Sequence, residues 1–150
     1  MEERVNSIRT TALLQRLFKA SNLKCFLEKN KEHMQAPPLH AYLSELCRKA
    51  GCVPEQVIKK TSIERTYGHQ IFNGLRNPSR DKIIQLAFGF GLDVSGTQKL
   101  MKAAQKSTLY PKFKRDAVII YCLEHHYCEL ETQSVLQELK LTLLGGQKNE

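Results

Sequence analysis

Arg65, Thr66, Tyr67, His69 and Gln70 fall within six consecutive positions. Each can form hydrogen bonds, and on one short helix the set offers donors and acceptors to the base edges of a DNA major groove. They lie in the stretch PEQVIKKTSIERTYGHQIFNGLR, residues 54–76. Pro54 suits a first helical position, where its missing N–H leaves nothing unpaired. Val57 and Ile58 give that first helix an apolar side, and Lys59 and Lys60 a polar one. Ser62 is the expected cap of a second helix running from about Glu64 to Asn73, and Asn73-Gly74 is its expected stop. Two short helices joined by a tight turn form the unit that lays one helix in the groove. The same unit also occurs in helical domains that never touch nucleic acid.

Other reactive residues offer less. Cys122, His125, His126 and Cys128 are close in sequence, but their spacing matches no familiar zinc pattern, and adjacent histidines on a helix point apart. The expectation is a core Cys122 and histidines near a helix end. Asp81, Asp93 and Asp116 are not spaced for acid–base work, and Ser44, Ser62 and Ser79 have no nucleophilic constellation around them. The sequence reads as a non-enzyme without metal or cofactor.

The net charge is +8 over 150 residues, unevenly distributed. Residues 1–38 carry +3, residues 39–110 carry +6 and residues 111–150 carry −1. The excess surrounds the helix pair, as a polyanion-binding surface requires, though such a charge also serves solubility. Five scattered cysteines read as free thiols, mostly buried, in a reducing compartment. No apolar run approaches bilayer length, and MEERVNSIRT lacks a signal-peptide core, so a cytoplasmic location without membrane contact is expected.

No stretch alternates as a strand does, and the expectation is an all-α chain of roughly eight short helices with no internal repeat. Apolar residues 8, 13, 14, 17 and 18 mark a first helix, and a second runs from Leu23 to Lys31. Pro37-Pro38 punctuates the chain. The next helix begins at Leu39, with Tyr42, Leu43, Leu46 and Cys47 on one face, and Gly51 ends it. Ser79 should cap a helix from Arg80 to Phe88, followed by a glycine-punctuated exit and a turn at Asp93–Gly96. Further helices are expected at 97–106, 112–124 and 129–139. The domain reading is an N-terminal extension at 1–38, a helix-turn-helix domain at 39–95 and a C-terminal extension at 96–150.

Leu43, Leu46, Gly51, Ile63, Ile71, Asn73-Gly74 and Asn77-Pro78-Ser79 leading to Ile83, Leu86, Ala87 and Leu92 resemble the lambda-repressor-like (XRE) helix-turn-helix family. The flanks resemble a bacterial subgroup with helical extensions on both sides. The resemblance implies a five-helix DNA-binding unit in which Arg65, Thr66, His69 and Gln70 face base edges. Lys59, Lys60, Tyr67, Asn73, Arg76 and Arg80 are then candidates for backbone contacts. Four departures stand out. Pro54 replaces a phosphate-binding Gln, and Ser62 replaces a turn Gly. The small-over-large pair where the two helices cross is reversed as Ile58 and Gly68. A buried Arg–Glu pair becomes Cys47 and Phe72. The implied function is a sequence-specific double-stranded DNA-binding transcriptional regulator, acting as a homodimer. The alternative is a protein-interaction or adaptor module on the same scaffold, with a partner on the flanking helices.

Overall fold

The computed structural model describes residues 9–34 and 37–145. Those residues are all-helical, with nine α-helices, one 3-10 turn and no strand. None of these helices is long and apolar enough to cross a membrane. The chain divides into two compact units, Met1–Ala36 and Pro37–Glu150.

In the first unit, α1 (Thr10–Lys19) and α2 (Leu23–Lys29) precede a 3-10 turn at Lys31–Met34. The Asn22 side chain caps α2 by accepting from the Cys25 N–H at 3.0 Å. Phe26 and Asn30 are this unit's buried residues among those described. Arg16 donates to Asn30 Oδ1 at 2.8 Å, and Asn30 Nδ2 donates to the Phe26 carbonyl. The apolar stripe of α1 stays exposed, with Phe18 75% accessible.

The second unit holds α3 (Leu39–Ala50), α4 (Pro54–Lys59), α5 (Arg65–Phe72), α6 (Arg80–Phe90), α7 (Val94–Ala103), α8 (Lys114–Glu124) and α9 (Glu129–Glu138). All seven contribute to one core, which includes Leu43, Val57, Ile71, Ile84, Leu100, Ile119 and Leu136. Residues beyond 95 therefore share a core with the helix pair. Gly51 and Gly91 end α3 and α6 in left-handed conformation, and Ser79 caps α6 as expected. Several boundaries differ from expectation: α2 stops at Lys29, α7 at Ala103, and α8 starts at Lys114. α6 runs two residues past Phe88 because Gly89 packs inward, where a Cβ would meet the Val57 carbonyl at 2.8 Å. α7 starts at Val94 because Asp93, expected in a turn, caps it through the Gly96 N–H at 2.7 Å.

The expectation of no internal repeat is overturned. The segment from α6 to the loop after α7 recurs 35 residues later as α8, α9 and the following loop, with Arg80-Asp81 matching Arg115-Asp116. Arg80 pairs with Asp116, and its guanidinium also donates to the Ser107 and Thr108 carbonyls. Arg115 pairs with Asp81 and donates to the Thr142 and Leu143 carbonyls. Asp116 accepts from the Tyr110 N–H, and Asp81 from the Gly145 N–H. Gln98 clamps both backbone groups of Leu109 as Gln133 clamps those of Leu144. Thr97 and Thr132, both fully buried, donate back to the cap carbonyls of Asp93 and Cys128. The backbone repeats as well: Gly91 and His126 have φ of 72° and 60°, and Gln105 and Lys140 have 59° and 61°. α6 packs on α9, and α7 on α8. Exchanging the copies maps each contact onto the other, the mark of a two-fold relation. Few side chains are identical between the copies, and for that reason the repeat escapes composition and periodicity.

Candidate nucleic-acid interface

The face begins with the α4–α5 turn. Ser62, expected to cap α5, does not. Glu64 does, accepting from the Thr66 and Tyr67 amides at 2.9 Å each. Those two N–H groups hold the Glu64 carboxyl below its usual range. Ser62 instead gives its N–H to Glu129 Oε1 at 2.6 Å and its hydroxyl to Glu129 Oε2. Glu129 is 3% exposed and also accepts from Gln85 and Gln133. The turn is thus held from α9. The described non-glycine residues in left-handed conformation are Gln105, His126 and Lys140, so Ser62 needs no glycine-like backbone.

Gly68, Ile71 and Phe72 form the buried side of α5. A Cβ on Gly68 would lie 2.9 Å from Ile58 Cδ1 and Cγ1, so the reversed small–large pair fills the α4–α5 crossing. Cys47 and Phe72 are both 6% exposed within the same core. Burial, followed by the Cys52 thiol beside it, pushes the Cys47 thiol up to about 11.

On the outward side of α5, Arg65, Thr66 and Asn73 are exposed, and Tyr67, His69 and Gln70 are half-buried. Arg76 donates through Nε to Gln70 Oε1 at 2.9 Å. Its guanidinium carbon lies 5.3 Å from the Tyr67 ring centroid, and Lys82 Nζ lies 5.8 Å from it. Lys59 and Lys60 are exposed at the end of α4. Arg80 is a correction. Expected among the phosphate contacts, it spends its guanidinium on Asp116 and two carbonyls inside the bundle. Arg115 is similarly committed to Asp81, while the nearby Lys112 and Lys114 are exposed.

Glu55 belongs to this face as well. Its Oε1 accepts from His69 Nε2 at 2.6 Å, and both its oxygens accept from Arg65 Nε at 3.1 Å. The His69 hydrogen bond, then that of Arg65, holds the Glu55 carboxyl below its usual range. An acid in the first turn of α4, ahead of a basic residue at the start of α5, was the available signal.

Cys122 is fully buried, and burial raises its thiol pKa. Cys128 is exposed at the start of α9, and the His125 ring centroid lies 4.1 Å from that of Tyr121. Among the described residues no group of three His, Cys, Asp or Glu side chains could hold a metal ion. Of the five thiols only Cys47 and Cys122 are buried; Cys52 is half-buried, and Cys25 and Cys128 are exposed.

No family model, curated protein or solved structure matches the chain.

Proposed function

We propose that this chain is a sequence-specific double-stranded DNA-binding regulator that reads the major groove with α5 and acts as a homodimer. One observation carries the reading. On α5, Arg65 and Thr66 are exposed and His69 and Gln70 half-buried, outside the buried set of Gly68, Ile71 and Phe72, with exposed Lys59, Lys60, Asn73 and Arg76 nearby. Arg pairs with guanine and Gln with adenine. Lys59, Lys60, Asn73, Arg76 and Tyr67 supply backbone contacts, which set register rather than sequence. Arg80 drops from that set. The local charge of +6 over residues 39–110 supports the same partner.

Selection from a random duplex library at two salt concentrations tests the proposal. The expected outcome is one enriched motif, an inverted repeat with half-sites about one helical turn apart. Arg65→Ala with Gln70→Ala should lose that motif and keep weak, salt-sensitive binding. Equal, motif-free binding by both proteins would refute readout by α5.

The second reading, a protein-interaction module, is favoured by Leu14, Leu17, Phe18, Leu23, Leu27 and Met34, all exposed in the first unit. It expects weak, sequence-independent DNA binding and a protein partner seated on α1 and α2.

A further inference from the structure

Glu55 lies in the first turn of α4, yet its carboxylate touches the outward side of α5 at two successive turns. An acid beside a DNA-binding surface repels phosphate, so its position calls for a compensating role. The contact geometry supplies one. Glu55 takes Arg65 by Nε alone, at 3.1 Å to each oxygen. Among the described residues neither terminal nitrogen of that guanidinium has a protein partner. Arg65 is therefore gripped at its stem side, with its two-pronged end available. That end matches the O6 and N7 acceptors of guanine. The arginine side chain is 72% exposed and would otherwise sample many rotamers. The same Glu55 Oε1 takes His69 Nε2 at 2.6 Å, so one carboxylate links the reading groups at i and i+4. An ion pair this exposed adds little to folding stability, so its removal leaves the fold intact.

We infer that Glu55 of α4 sets the specificity of α5: it positions Arg65 and His69 for base contact and lowers affinity for DNA in general. The inference rests on the DNA-binding reading above. It makes two opposed demands of one variant. Glu55→Ala frees Arg65 and removes a negative charge from the interface. Discrimination at the guanine position read by Arg65 falls by about tenfold or more, the worth of one bidentate pair. Affinity for random duplex rises, and it remains salt-dependent. A variant that merely loosened the fold would lose both.

The experiment is library selection with the wild-type chain, Glu55→Ala, Glu55→Gln and Arg65→Lys, together with titration of one random duplex at two salt concentrations. Glu55→Gln keeps one acceptor oxygen and serves as the second variant should the alanine form fail to fold. Its discrimination should lie between wild type and alanine. Lysine keeps the charge of residue 65 but has no fork. In the Arg65→Lys background, Glu55→Ala should therefore no longer change discrimination at that position. If wild type selects a motif and both Glu55 variants select it with equal discrimination, the positioning role is overturned and the DNA reading stands. If discrimination and random-duplex affinity fall together, the role is also overturned, in favour of a structural one. If wild type selects no motif, the DNA reading fails and takes this inference with it.

Discussion

At the scale of single residues, the strongest commitments lie behind the candidate face. Asp116 is 4% exposed and its carboxylate is fully engaged by Arg80 and the Tyr110 N–H. Removing one partner strands the other in a dry site, so Arg80→Ala should cost about 3 kcal/mol in urea unfolding. Arg65→Ala, on an exposed pair, should cost less than about 1 kcal/mol. At Gly68 the issue is volume. Gly68→Ala crowds Ile58 and should cost about 1–3 kcal/mol. Ile58→Val should recover part of that loss, giving a favourable coupling in a double-mutant cycle. Asp81 supplies a pH dependence. Burial pushes its carboxyl up, but the Arg115 hydrogen bonds and the Gly145 N–H outweigh this, and the net shift is downward from 3.8. A depressed folded-state pKa stabilises the protein above the ordinary value, and that stability is lost as pH falls through the folded one. Between about pH 5 and pH 3, Asp81→Asn should show a shallower loss of stability than wild type. Equal slopes in acid unfolding curves would refute this.

At the scale of elements, the caps divide the roles of two neighbouring residues. Glu64→Ala should destabilise the start of α5 and speed hydrogen exchange at the Thr66 and Tyr67 amides. Ser62→Ala should leave those amides protected, because its hydroxyl serves Glu129. Most helix boundaries were legible because local chemistry sets them: Pro54 at a first position, Gly51 past an end, Ser79 as a cap. At Ser62 and Gly89, where the sequence misled, a distant contact decided. Ser62 looks like a cap until Glu129 arrives 67 residues later in the chain. Gly89 looks like a helix exit until Val57 packs over it. Of the candidate site, the outward residues of α5 were readable from their types and helical spacing. The commitment of Arg80 and the grip of Glu55 were not, because both depend on partners from other helices.

At the scale of the whole molecule, the core cluster runs from Leu43 to Leu144, within the second compact unit. A fragment of residues 37–150 should therefore unfold in one cooperative transition in urea. Ending it at residue 110 removes the Asp116 partner of Arg80 and the apolar cover of α6 and α7. That shorter fragment should fail to unfold cooperatively by circular dichroism. The reciprocal ion pairs of the two helical hairpins obey the same two-fold exchange. Arg80 to Asp116 and Arg115 to Asp81 reproduce, within one chain, the reciprocal pairing of a two-fold homodimer. Such a bundle is what duplication and fusion of the gene for a self-associating hairpin would leave. The copies differ where they meet the rest of the chain: one has Gly89, over which Val57 of α4 packs, while the other carries Glu124 at the matching place. Where the first has Val94, the second has Glu129, the group that reaches back to Ser62.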